Sequence, residues 1–149
     1  MAGGTEDCPE HKKRTRRREL RYCFSAKHHG RDSTDASQWA DDLSRDEEFT
    51  IFDVADEHDL SDPKGHLYGL RRSPDGAILD LGTSEEQIAQ FPRARAGQIW
   101  HGFPLWPLAE DGPENRKKQK APRAALRKMK EKGLLSPQQL KKLLKGDPT

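Results

Sequence analysis

The sequence is poor in the features that announce a protein's class. Cysteine is scarce: Cys8 and Cys23 are the only two in 149 residues, too few for a secreted disulfide scaffold, although one bridge remains open to them. No apolar run approaches the roughly twenty residues that span a bilayer, and no hydrophobic stretch marks a secretory signal near the start. GxSxG, HExxH, a P-loop, a dinucleotide-binding glycine run and CxxC are missing as well. That removes the enzyme families that carry those motifs and leaves catalysis otherwise open. Apolar residues make up only 32% of the chain, and the first twenty residues and residues 110–120 hold almost nothing to bury. The material for a core is therefore confined to roughly 90 residues.

What the chain has in abundance is charge, in blocks. Residues 1–31 carry nine basic and four acidic groups, residues 32–62 one and twelve, residues 63–109 five and four, and residues 110–149 twelve and five. The formal net charge of +2 conceals local fields much larger than itself. A basic, acidic, neutral, basic order suits either internal neutralisation or two partners of opposite charge.

Along the chain, Lys12 to Arg18 places six cations in seven positions, a pattern that predicts a disordered arm over 1–19. Leu20, Tyr22 and Phe24 alternate as in a strand with one buried face. Ala36, Trp39, Ala40 and Leu43 share one helical face, predicting a helix from Thr34 or Asp35 to about Asp46, with Trp39 as a core anchor. Phe49 to Val54 is rich in β formers and reads as a strand. Leu67–Arg72 and Ala77–Leu81 flank Ser73-Pro74-Asp75-Gly76, a hairpin turn with proline and glycine where a type I turn wants them. Possible capping boxes at Thr83 and Ser84 predict a short helix that buries Ile88 and Phe91 and stops at Pro92. Trp100, Phe103 and Trp106 recur every third residue, the repeat of a polyproline II segment. Beyond a charged linker, Pro122–Lys132 and Ser136–Lys145 read as two helices. Pro122 starts the first and Gly133 caps its end. Ser136, Pro137 and Gln139 start the second.

The expectation is an α+β fold: a small, mostly antiparallel sheet with short helices and a C-terminal helical hairpin. A core over 20–109 follows the arm, and a linker over 110–120 leads to the hairpin over 121–146, docked on or appended to that core.

Three constellations could carry function. The first is cationic: Lys12, Lys13, Arg14, Arg16, Arg17 and Arg18 in the arm, with Arg127, Lys128, Lys130, Lys141, Lys142 and Lys145 in the hairpin. Such side chains neutralise phosphates, and a lysine-rich set favours backbone contact over base reading. The leading function is thus a non-enzymatic module that contacts a nucleic-acid backbone or a nucleoprotein partner. Its expected location is cytoplasmic or nuclear/nucleoid-associated, with no membrane partner. The second is acidic: Asp41, Asp42, Glu47 and Glu48 offer a face that could occlude a basic protein, as an immunity protein or antitoxin does, and Trp100 and Trp106 could add aromatic contacts. The third is an imidazole. His101, between Trp100 and Gly102, could act as general acid or base in a small nuclease or nucleotide-processing enzyme, with His66, His28, His29, Tyr68 and Arg95 around it. Cys8-x2-His11 and Cys23-x4-His28 supply the ligand types of a structural zinc site, although the spacer between them is mostly lysine and arginine. No other cofactor is implied. The carboxylates from Asp53 to Asp62 lack the spacing of a calcium loop and read as a solvated face.

Overall fold

The computed structural model describes residues 9–24, 38–83, 86–105 and 123–145. In chain order it contains helix α1 (Arg45–Glu57), strands β1 (Leu67–Gly69), β2 (Arg71–Arg72), β3 (Ile78–Leu79), β4 (Ile88–Phe91) and β5 (Phe103–Leu105), and helices α2 (Arg123–Glu131) and α3 (Pro137–Leu144). The fold is α+β, with antiparallel sheets, short helices and a C-terminal helix pair. No described helix is long and apolar enough to cross a membrane.

β4 is the central strand of a three-stranded antiparallel sheet ordered β1-β4-β5. Leu67 lies opposite Phe91, and Ala89 opposite Pro104. Pro104, which has no N–H to donate, sits on the edge strand, where sheets tolerate proline. β2 and β3 form a separate two-stranded ribbon. The turn between them closes through Gly76 N–H donating to the Ser73 carbonyl at 2.9 Å, with Gly76 at φ +94°. This is the turn read from Ser73-Pro74-Asp75-Gly76, but the ribbon spans only Arg71–Arg72 and Ile78–Leu79, since Leu67–Gly69 pairs with β4 instead.

α1 packs on β1, and the core lies where their aromatic side chains meet. The Phe52 ring is 4.9 Å from that of Tyr22, 5.1 Å from Phe91 and 5.6 Å from Trp100. The hairpin joins the same apolar cluster through Leu126, Met129, Leu135 and Leu143, and Gln139 Nε2 donates to the Gly76 carbonyl at 3.0 Å. Ser136 and Gln139 form the expected capping box. After α2, Leu134 N–H reaches the Met129 carbonyl and Gly133 N–H the Lys130 carbonyl, with Gly133 at φ +78°. That is a Schellman closure with glycine in the left-handed position.

Four local expectations are corrected. Phe49–Val54 is the middle of α1, not a strand. Ser44 caps α1 by accepting from Glu47 N–H at 3.0 Å, and Asp46, Glu47 and Glu48 occupy its first turn. The anions that would oppose a helix ending there instead favour one beginning there. The helix expected over Thr34–Asp46 is absent from its described part. Residues 38–40 run extended beside 81–83, with Ala40 N–H on the Leu81 carbonyl and Thr83 N–H on the Gln38 carbonyl, both at 2.9 Å. The short helix ending at Pro92 is β4, because Ile88, Ala89 and Phe91 are buried between two partner strands; Ser84 lies outside the described residues. The polyproline segment is β5 over Phe103–Leu105, drawn into the ladder by the free edge of β4; Trp106 lies outside the described residues.

Candidate polyanion-binding surfaces

In the N-terminal arm, expected to be disordered, residues 9–19 take a defined conformation against the core. A tight loop shapes it. Thr15 N–H donates to the Leu20 carbonyl at 3.1 Å, and Thr15 Oγ1 accepts from Leu20 N–H at 2.8 Å. Thr15 is buried, while Arg14, Arg16, Arg17 and Arg18 project outward.

Three of these arginines turn to α1, whose last turn carries no basic residue of its own. Arg16 donates from its backbone N–H and Nε to the two oxygens of Asp53, each at 2.9 Å, and from a terminal nitrogen to Glu57 at 2.8 Å. Arg17 donates to the Asp56 carbonyl at 2.8 Å. Arg18 holds the Asp56 carboxylate with its backbone N–H, at 3.1 Å, and its guanidinium Nε. The arm thus answers both the carboxylates of α1 and the negative end of its dipole. Asp59 links this clasp to the hairpin, lying 3.8 Å from Arg17 and 3.7 Å from Lys128. Burial pushes its carboxyl up, but the Ser61 hydroxyl, Lys128, Arg17 and Arg18 outweigh this and hold it below the ordinary aspartate range.

The hairpin keeps its charge. Arg123, Arg127, Lys130, Lys132, Lys141, Lys142 and Lys145 are exposed and have no acidic partner among the described residues. Lys128 alone in this set is engaged, with Asp59 and with the Ser61 hydroxyl at 3.1 Å. Glu131 is the one acidic residue of the two described helices. Arg123, Lys141 and Lys145 rim a shallow groove of about 430 Å³ floored by Pro137, Leu140 and Leu144.

A second positive feature was not foreseen. A cleft of about 790 Å³ opens between residues 14–21 and the loop 93–98, lined by Arg14, Arg18, Arg21, Arg93, Arg95 and Trp100, with Glu19 as the one carboxylate among its described lining residues. Its two walls are more than seventy residues apart in the chain, so no local motif marks it. The pair Arg93-x-Arg95 beside Gly97 is the only trace in sequence.

The acidic constellation is largely engaged within the molecule. Arg71, nine-tenths buried, donates to Asp42 at 3.1 Å and Glu47 at 3.0 Å. The Arg71 side-chain hydrogen bond and charge hold the Asp42 carboxyl below its usual range. Glu48 is buried and accepts from the Tyr22 hydroxyl. Asp41 remains exposed. Trp100 is buried, with the Arg18 guanidinium 6.0 Å from its ring.

Among the histidine set, His66 and Tyr68 meet at Asp62. Its carboxylate accepts from His66 backbone N–H at 3.0 Å and from the Tyr68 hydroxyl at 3.0 Å. The Tyr68 oxygen in turn accepts from Gln90 at 2.8 Å. His66 Nδ1 accepts from Arg93 N–H at 2.9 Å, so this imidazole serves the cleft wall. Arg95 lines the cleft, and His101 is exposed just before β5. His28 and His29 lie outside the described residues.

The zinc set fares differently. Cys23 is disulfide-bonded, so its sulfur is not free for a metal while that bond stands. His11 stacks on Phe49 at 4.2 Å and accepts at Nδ1 from Lys13 N–H at 3.0 Å. Cys8 and His28 lie outside the described residues, among which no cluster of three metal-ligating side chains occurs. No family model, curated protein or solved structure matches the chain.

Proposed function

We propose that this protein is a non-enzymatic module that contacts the phosphate backbone of nucleic acid through the α2–α3 hairpin, without reading base sequence. One observation carries the reading: seven exposed cations on this element have no carboxylate partner among the described residues, while Arg16, Arg17 and Arg18 of the arm are engaged by α1. Lysine predominates in the set, and a lysine ammonium meets phosphate as a point charge rather than a base edge as a fork. The acidic-face alternative draws no such support, since Arg71, Tyr22 and the arm already engage most of that face. A nucleic-acid ligand implies a cytoplasmic or nuclear/nucleoid-associated location, and a reducing compartment would open the bond at Cys23.

The test is a titration of duplex DNA at several salt concentrations. Affinity should fall steeply with salt. K141Q/K142Q/K145Q should weaken binding at low salt and flatten the log–log salt slope by about 2 to 3. Absence of binding at 50 mM salt or below, or a slope unaltered in the triple variant, overturns the reading.

A further inference from the structure

The arginine cleft differs in kind from the lysine surface of the hairpin. Each of its five cations is an arginine. Guanidinium forks hold phosphate oxygens in pairs and shed water more readily than ammonium groups, which suits recognition of a localised group rather than a diffuse backbone. Some of the five are already engaged: Arg14 contacts Glu10 at 2.9 Å, Arg21 is 3.8 Å from the same residue, and Arg18 is held by Asp56. Setting Glu10, Glu19 and Asp56 against the five leaves two positive charges over. They fall on Arg93 and Arg95, exposed on one loop and without an acidic partner among the described residues.

The walls are held in place from behind. Gly97, at φ +80°, lets the chain turn so that Gln98 N–H reaches the Arg95 carbonyl at 2.9 Å. Arg21 donates to the Gly97 carbonyl at 2.6 Å. Trp100 N–H donates to the Arg21 carbonyl at 2.9 Å, and Cys23 N–H to the Trp100 carbonyl at 2.8 Å. His66 anchors the Arg93 backbone. The volume lies in the range of small-ligand sites, and walls tied by these hydrogen bonds have less conformational freedom to lose on binding.

We infer that this cleft binds a compact, multiply charged phosphate group of the pyrophosphate class, with Arg93 and Arg95 as the principal contacts. The group is carried either by a free nucleoside diphosphate or by the 5′-diphosphate end of a nucleic-acid strand. The site is separate from the hairpin surface and does not depend on it.

The experiment titrates the full chain with inorganic pyrophosphate at low salt, followed by calorimetry. Saturable one-to-one binding is expected, weakened about tenfold or more in R93Q/R95Q and altered less than twofold in K141Q/K142Q/K145Q. No saturable binding, or equal binding by a folded R93Q/R95Q variant, overturns the site. Two carriers identify the source: ADP, and an oligonucleotide compared with and without a 5′-diphosphate. A gain for either that is lost in R93Q/R95Q supports the site and names its source, whereas pyrophosphate binding with no gain for either carrier overturns the ligand class. Absence of duplex binding by the unmodified chain, with pyrophosphate binding intact, would overturn the hairpin reading alone, and duplex binding with no pyrophosphate binding would overturn the cleft alone.

Discussion

Arg18→Ala offers the sharpest test of the clasp between the arm and α1. The Asp56 side chain is 0% exposed, whereas that of Arg18 is 43% exposed. Removing the guanidinium takes the charged partner from a buried carboxylate, with only the Arg18 backbone N–H still donating from the arm. Breaking a fully buried ion pair costs about 3–5 kcal/mol, and an exposed pair contributes about 0–1 kcal/mol. With one partner buried and the other half in solvent, the expected loss is about 2 kcal/mol. Arg16 supplies the control, since it is 70% exposed and faces an Asp53 that is 12% exposed; Arg16→Ala should cost about 0.5–1 kcal/mol. Urea unfolding followed by tryptophan fluorescence reads both. A slope of about 1–3 kcal/mol per molar makes the larger loss a midpoint shift of about 1 M. Salt at 0.5 M should erase most of the Arg16 effect and little of the Arg18 effect. A double-mutant cycle with Asp56→Asn should show coupling above about 1 kcal/mol. If Arg18→Ala lies within about 0.5 kcal/mol of wild type, or is no more harmful than Arg16→Ala, the clasp contributes nothing to stability and the reasoning fails.

The two tyrosines are the only ones in the chain. Burial first, then Glu48, raises the Tyr22 phenol well above its ordinary value, and burial, aided by Asp62 against the opposing Gln90 bond, raises that of Tyr68. A phenol whose folded value exceeds its unfolded one lends stability that is fully present below about pH 10 and is lost as pH rises above it. Phenolate absorbance should therefore stay silent through pH 10 and emerge together with alkaline unfolding; an ordinary phenol titration in the folded protein would contradict the burial. Gly102→Ala should cost about 1–3 kcal/mol by thermal or urea melts, because a methyl there would run into the Phe91 ring. A neutral Gly102→Ala variant would show that the Phe91 ring can move aside.

Much of the fold's outline was legible in the chain. The Ser73–Gly76 turn and the Gly133 and Ser136 caps depend on backbone conformation and on side chains within a few residues, so the sequence reports them directly. β4 and α1 were misread because their local cues point elsewhere. Phe49, Ile51 and Phe52 favour strand in isolation, but the Ser44 cap, the acidic first turn and burial against β1 overrule that preference. Ile88 and Phe91 sit at a helical spacing of three, yet the segment is a strand because β1 and β5 flank it.

Function divides along the same line. Blocks of charge, the absence of catalytic motifs and the basic faces of the hairpin can be read from order and composition, because like charges three or four positions apart on a helix share a surface whatever surrounds them. Which charges remain available cannot. Arg16 and Arg18 look identical to Arg93 and Arg95 as letters, yet the first pair meets Asp53 and Asp56 about forty residues away, while the second stands in a cleft with no acidic partner among the described residues. Coulombic pairing and desolvation depend on distance in space, and folding alone sets those distances.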